Sequence, residues 1–412
     1  MIDTVLSSKQ AIALEQRYGA HNYHPLPVVL SRGEGVHLWD LEGRQYYDFL
    51  SAYSAVNQGH CHPKIVSALQ KQASQLTLTS RAFHSDALGL YEKYITEYFG
   101  YHKLLPMNTG VEAIETAIKI VRKWGYEVKG IAENQARIIV CDQNFHGRTT
   151  TVISFSNDPD AHDNFGPYTP GFVRIPYNAL SALSKALENP AVAGFLVEPI
   201  QGEAGVNVPD EGYLKSAADL CKEKNVLFMA DEVQTGIGRT GKLLACDYEG
   251  VRPDILILGK ALSGGTYPVS AVLADDEIMG VMQPGQHGST FGGNPVAAKV
   301  AMAALEVVEE EELTENAYTL GKLFRNKMQH VIDRSQLVSQ VRGKGLLNAI
   351  EINDTPESNT AWNICLKLMQ NGLLAKPTHG NIIRFAPPLV MTEAQLLECC
   401  EIIEHTIGEI IR

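Results

Sequence analysis

The sequence lacks any paired cysteine motif. Its seven cysteines (Cys61, Cys141, Cys221, Cys246, Cys365, Cys399 and Cys400) are odd in number and scattered, with no C-x-x-C spacing. Neither a disulfide framework nor a structural zinc site is expected from them. Basic clusters are missing too: 35 Lys and Arg against 47 Asp and Glu give a formal net charge of −12, which argues against nucleic acid as a partner. No stretch reaches the roughly 20 uninterrupted apolar residues of a membrane span. The opening MIDTVLSSKQAIALEQRYG shows neither an apolar signal core nor an Arg-rich presequence. Together with the unpaired thiols, this makes the cytoplasm the expected location. Internal repeats and low-complexity linkers are absent, and the acidic run Glu309 to Glu312 reads as a solvated helix face.

What is present is an ordinary globular composition, 45% hydrophobic and 20% charged over 412 residues, enough for a large core and two domains. A short N-terminal helix ends near Gly19. The stretch VVLSRGEGVHLWDLEGRQYYDFL then alternates apolar and polar residues around glycine turns, as a β-meander does. Seven apolar or β-rich runs follow, separated by helical text: KLLPM (103–107), RIIVCD (137–142), FVRIP (172–176), GFLVEP (194–199), VLFMAD (226–231), DILILGK (254–260) and VSAVLAD (269–275). They imply an α/β fold with a mainly parallel seven-stranded sheet covered on both faces. Beyond about Asn294 the text is helix-rich, with two further β-like runs at 345–352 and 381–387. The expected organisation is an N-terminal segment over 1–45 packing with the small domain, a large domain over 46–295 and a small α+β domain over 296–412.

Ligands of open α/β sheets sit beyond the carboxyl ends of the strands. There VLFMAD delivers Asp231 and DILILGK delivers Lys260. A lysine that can condense with an aldehyde, and a carboxylate that can keep a ring nitrogen protonated, suit pyridoxal phosphate. Alone, a lysine after a buried strand is more often a surface residue. KLLPMN runs into Thr109-Gly110-Val111 and the periodic helix VEAIETAIKIVRKWGY, a helix N-terminus suited to a phosphate but common in itself. Gly236-Ile-Gly238-Arg-Thr-Gly241 matches the dinucleotide pattern G-x-G-x-x-G. Its glycines open no helix, and Asp231-Glu232 just before it would repel a pyrophosphate, so an oxidoreductase is set aside. His146 and the His60-Cys61-His62 cluster offer imidazoles without a third ligand at suitable spacing, and no metal is expected.

The phrases RGEGVHLWDLEG, GHCHP, NTGVEA, NFHGRT, VEPIQGE, ADEVQTGIGRTG, ILGKALSGG and STFGGNP, in this order, resemble the class-III aminotransferases of the fold-type-I pyridoxal-phosphate family over essentially the whole chain. The resemblance implies pyridoxal 5'-phosphate as cofactor, Lys260 as Schiff-base lysine and proton carrier, and Asp231 on the ring nitrogen. Gln234 would meet the phenolic oxygen, Val233 and Phe145 would cover the two ring faces, and Gly110 and Val111 would offer N–H groups to the phosphate. His146 joins this cofactor-binding set as a structural position. Thr290 would reach the phosphate of a neighbouring subunit, which implies a homodimer or a higher homo-oligomer with shared sites.

Within the class, RYGAHNYHPLPVVL, TGVEAIETAIKIVRKWGY, FGPYTPGF and AKPTHGNIIRFAPPL are similar to enzymes that take L-ornithine as amino donor and 2-oxoglutarate as acceptor. In that case Arg148 would hold the distal carboxylate and Arg384 the carboxylate beside the reacting carbon. Glu203 would mask Arg384 while ornithine is bound, Tyr23 would contact the free α-amino group, and Tyr53 would shape the entrance. N-acetylornithine, 4-aminobutyrate or another ω-amino acid remains the alternative donor, and a non-catalytic binding relative the alternative of another class.

Overall fold

The computed structural model describes residues 6–410. The helix Ser8–Tyr18 opens on a capping box in which Ser7 and Gln10 satisfy each other's backbone amides. The meander follows as β1 (Leu30–Glu34), β2 (His37–Asp40) and β3 (Gln45–Asp48), paired antiparallel in turn. The next seven strands are β4 (Lys103–Met107), β5 (Arg137–Cys141), β6 (Phe172–Ile175), β7 (Val192–Val197), β8 (Leu227–Asp231), β9 (Ile255–Leu258) and β10 (Ser270–Ala274). Each falls on one of the seven expected runs. They form one sheet in the order β4-β10-β9-β8-β7-β5-β6. Strands β5 to β9 pair in parallel, and β10 runs antiparallel to both β4 and β9.

Strands β7 to β10 are buried at every residue, which is why their text is unbroken apolar rather than alternating. On one face the helix Gly110–Glu127 lays Ile114, Ala117, Ile118, Val121 and Trp124 near Ile138, Val140, Leu196, Met229 and Ile257. On the other, Ile139, Phe195, Val197, Phe228 and Ala230 meet Leu183, Leu214, Ala217 and Cys221. Ile138 and Val140 facing one way, and Ile139 and Cys141 the other, reflect the two-residue period of a strand.

The C-terminal part adds β11 (Val338–Lys344), β12 (Leu347–Ile352), β13 (Leu373–Leu374), β14 (Lys376–Thr378) and β15 (Ile382–Phe385). Four of these make a second sheet, β11-β12-β15-β14, while β13 joins the meander in parallel with β3. The Tyr47 hydroxyl, on β3, donates to Glu398 at 2.7 Å. Strands β12 and β15 lie inside the expected runs. Strands β11, β13 and β14 were not expected, because β11 is polar and the other two are too short to carry a period.

The stretch 236–241 is a turn and opens no helix. Its Arg239 is fully buried and donates to Asn57 Oδ1 from Nε at 3.1 Å, to Leu346 O at 3.0 Å and to Pro387 O at 2.6 Å. Gly241, at φ 86°, could not carry a side chain, since a Cβ there would lie 2.7 Å from the Tyr318 Cα. The glycines thus let the turn clasp the C-terminal part. No helix of the described residues is long and apolar enough to cross a membrane.

Ile257 is 0% exposed at the centre of the sheet. Ile257→Ala should lower the unfolding free energy by about 2–5 kcal/mol, read as a fall in the urea midpoint. A loss below about 0.5 kcal/mol would contradict tight packing on this face.

Candidate active site

The loops after β5, β7, β8 and β9 converge on a cavity of about 180 Å³. Its walls include Gly110, Val111, Phe145, His146, Asp231, Val233, Gln234 and Lys260, all singled out from the sequence, together with Glu198 and Ile200. Asp231 ends β8 as expected and is buried. Its Oδ2 lies 2.6 Å from His146 Nδ1, and its Oδ1 accepts the Val233 N–H at 3.1 Å. Burial alone would lower the His146 pKa, but the hydrogen bond and charge of Asp231, with Glu198, outweigh it and raise the value above that of an ordinary histidine.

Lys260 does not end its strand. Strand β9 stops at Leu258, and Lys260 opens a 3₁₀ turn, Lys260–Ser263, with φ at 43°. A non-glycine residue in that left-handed region costs on the order of 1–3 kcal/mol, strain of the kind found at functional sites. Burial draws the amine's pKa below the usual lysine value; Asp231 opposes this and Arg384 reinforces it. The shift favours the neutral, nucleophilic amine.

The helix Gly110–Glu127 starts at the cavity. Thr109 and Glu112 form a capping box that takes up the Thr109 and Glu112 amides. The Gly110 and Val111 N–H groups are left without partners among the described residues. A Cβ on Gly110 would press to 2.9 Å from Val233 Cγ1, so only glycine lets this cradle close against Val233. Two free amides at a helix N-terminus, a buried amine and a buried carboxylate match the phosphate, aldehyde and ring nitrogen of pyridoxal phosphate.

Beside the cavity lies a second cluster. Arg384, on β15, is 2% exposed, and its Nη1 donates to Gln234 Oε1 at 2.9 Å, Glu203 Oε2 at 3.1 Å and Gly202 O at 3.3 Å. Its Cζ lies 4.7 Å from the Tyr53 ring centroid. Burial alone would raise the Glu203 pKa, but the charges of Arg384 and Lys260 hold it below the ordinary carboxylate value. Tyr23 is 73% exposed, Arg148 is an exposed residue with its Cζ 5.6 Å from the Phe145 ring centroid, and Thr290 is exposed on its loop. None of these three lines the cavity. In the GHCHP phrase, His60 Nε2 pairs with Asp48 at 2.7 Å and His62 Nε2 with Glu311 at 2.9 Å.

Glu198 was missed as a site residue. It follows β7 directly, so the strand-end rule that picked Asp231 applies to it equally. It is buried, and its carboxylate accepts the Phe145 N–H at 2.9 Å and the Gly202 N–H at 3.4 Å. Burial pushes its pKa up to about 7, with His146 opposing and Asp231 adding to the rise.

Comparison with known proteins agrees with this geometry. The profile of the aminotransferase class-III family matches residues 18–407. The chain is 62% identical over 400 residues to a Drosophila ananassae protein named ornithine aminotransferase, mitochondrial, covering 97% of this chain and 91% of that one. It is 64% identical to the crystal structure of acetylornithine aminotransferase from Elizabethkingia anophelis, with a TM-score of 0.91 over 98% of this chain and 100% of that one. It is 47% identical to an ornithine aminotransferase structure from Toxoplasma gondii with partial occupancy of PLP at its active site, with a TM-score of 0.97 over 99% of this chain and 96% of that one.

His146→Gln tests the charge of the Asp231 pair. The folded pKa of His146 is raised, so its stabilising contribution is full below the unfolded value of about 6.5 and is lost as pH rises through the higher folded value. The variant's deficit in melting temperature should therefore be largest below about pH 6.5 and narrow at alkaline pH. A deficit independent of pH would refute a charged imidazole.

Proposed function

Since the chain belongs to the class-III aminotransferases, we propose that it transfers the δ-amino group of L-ornithine to 2-oxoglutarate, giving glutamate 5-semialdehyde and L-glutamate in two half-reactions. The observation that carries this reading is Arg384, held by Glu203 at 3.1 Å beside the cavity of Lys260. Ornithine has to present its terminal amine, while 2-oxoglutarate has to present its α-carbon. A permanently free Arg384 would capture the carboxylate of ornithine and select the wrong nitrogen. Glu203 masks it for the first substrate and releases it for the second. A charged hydrogen-bonded pair of this kind is worth about 1.5–3 kcal/mol, or roughly 10- to 100-fold in binding preference, so the mask is both effective and reversible.

Bound pyridoxal phosphate supplies an electron sink for the carbanion left when the substrate carbon loses its proton. Lys260 Nζ carries that proton, and Asp231 holds the charge of the ring nitrogen with His146 behind it. The Gly110 and Val111 amides would hold the phosphate, and Phe145 and Val233 would line the ring. Gln234 spends its Oε1 on Arg384, which leaves its Nε2 to donate to the phenolic oxygen. Arg148, on the rim, takes the distal carboxylate of either substrate. Tyr23 reads the free α-amino group and Tyr53 narrows the entrance over Arg384. The exposed Thr290 completes the phosphate site of a second copy, making the enzyme a homodimer. Seven free thiols accord with a reducing compartment such as the cytoplasm, with the mitochondrion of the named relatives as the competing address.

A second reading, favoured by the likeness to the Elizabethkingia acetylornithine aminotransferase, has N-acetylornithine as donor. It leaves Tyr23 without an amine to read. Initial rates with the two donors separate these readings. Ornithine should win, and Tyr23→Phe should lower kcat/KM for ornithine while sparing the acetylated donor. Lys260→Ala should cut turnover by at least about 10²–10⁴-fold with the fold retained. Faster turnover of N-acetylornithine, or an active Lys260→Ala protein, would overturn the corresponding assignment.

A further inference from the structure

Strand β14 places an unexplained cation beside Arg384. Lys376 and Arg384 are direct partners across the β14–β15 ladder, so their side chains leave the same face of the sheet. Thr378, two residues along β14 and thus on that same face, donates its hydroxyl to the backbone oxygen of Glu203 at 2.6 Å. Two cations and the loop of a single carboxylate therefore share one face. Arg384 already has Glu203, whereas Lys376 is partly buried and makes no hydrogen bond or ion pair among the described residues. Half-burying a lysine beside an arginine, with no carboxylate of its own, is unfavourable unless a partner visits it.

The mask creates that need. When Arg384 turns to a substrate carboxylate, Glu203, only partly exposed, loses its counter-charge beside a buried site, which is unfavourable unless another cation takes it up. Of the other cations that act on Glu203, Lys260 is committed to the cavity and His379 lies beyond β14 in a left-handed turn at φ 46°. We propose that Lys376 is a positioning residue: it is the second seat of the Glu203 carboxylate, occupied while Arg384 is engaged by the α-carboxylate of the keto acid. The proposal rests on the masking role given to Glu203 above and adds where that carboxylate goes. Burial lowers the Lys376 pKa and Glu203 opposes the fall, so the two groups act on each other even in the masked state.

The test uses the cofactor-loaded enzyme. Glutarate, which carries both carboxylates and no reacting group, is titrated calorimetrically, and each half-reaction is followed separately by the absorbance of the bound cofactor. Lys376→Met, which keeps the apolar stem, should weaken glutarate binding about tenfold. It should raise KM for 2-oxoglutarate to a similar degree and leave the ornithine half-reaction within about twofold of wild type. Lys376→Arg should restore both affinities. If the methionine variant folds poorly, Lys376→Gln carries the same measurement. Wild-type glutarate affinity in both neutral variants, or an equal loss in the two half-reactions, overturns the second seat. A wild-type enzyme that ornithine does not convert, but whose glutarate affinity still falls on Lys376→Met, sinks the donor assignment alone.

Discussion

The constraint on which the site depends is the charge of one buried carboxylate. A carboxylate at the end of a fully buried strand is expensive unless it is paired, and Asp231 is paired on both oxygens, with the His146 ring at 2.6 Å and the Val233 amide at 3.1 Å. In the proposed mechanism this pairing holds the Asp231 carboxylate where the ring nitrogen of the cofactor would lie. It also determines which residues lie alongside. Val233, whose N–H donates to Asp231, lies so close to Gly110 that a Cβ there would come to 2.9 Å from it, so the proposed ring floor and phosphate cradle share one short segment. His146 belongs to the loop that carries Phe145 and Arg148, and the amide of Phe145 is tied to Glu198. Removing the charge at Asp231 would therefore loosen His146, Val233 and, through them, the loops proposed to hold the cofactor.

A second tier of coupling runs through Gln234. Its Oε1 accepts from Arg384 at 2.9 Å, so the side chain proposed for the phenolic oxygen is also a ligand of the arginine proposed to bind the substrate. An arginine that swings to a substrate carboxylate gives up Gln234 and Glu203 at once. Glu198 holds the other end of the same loop through the Gly202 amide at 3.4 Å while its remaining oxygen holds Phe145. The proposed mask and the cavity are thus linked by two side chains, Gln234 and Glu198, that each bridge to a neighbouring segment.

The sheet was legible because its strands are buried on both faces and so read as apolar runs with charged or polar residues at their ends. Strand β11 was not, since VSQVRGK has little apolar content. Strands β13 and β14, at two and three residues, exist only because β3 and β15 offer them edges. Among site residues, Asp231 could be read from a strand end and Lys260 from the turn just beyond one, and Glu198 obeyed the same rule unnoticed because its phrase was claimed by Glu203. The left-handed start of the Lys260 turn has no sequence signal, since nothing in the letters distinguishes a lysine that continues a strand from one that breaks it. The glycine-rich 236–241 turn opens no helix, and its task, seating Arg239 against Leu346 and Pro387, depends on residues more than a hundred positions away.

Tyr53 shows how far such distant support goes. Ser51, Ala52, Tyr53 and Ser54 all lie at positive φ, between 46° and 72°, a left-handed turn built without glycine. Each residue there costs on the order of 1–3 kcal/mol, so the turn cannot persist on local preference. Asp48 holds it: its Oδ1 accepts the amides of Leu50 and Ser51 at 2.8 and 2.9 Å, and its Oδ2 is fixed by His60 at 2.7 Å. The histidine of the GHCHP phrase, which could have passed for a metal ligand, is thereby given a purpose. It steadies the carboxylate that stabilises the strained turn, and the turn presents the Tyr53 ring 4.7 Å from the Arg384 guanidinium carbon. An aromatic face attracts a guanidinium without offering a hydrogen bond. It can therefore support Arg384 in its masked position without competing with the substrate carboxylate for donors, as a second acidic residue would. The strain thus serves the proposed mask: it sets an aromatic ring, rather than a second carboxylate, against Arg384.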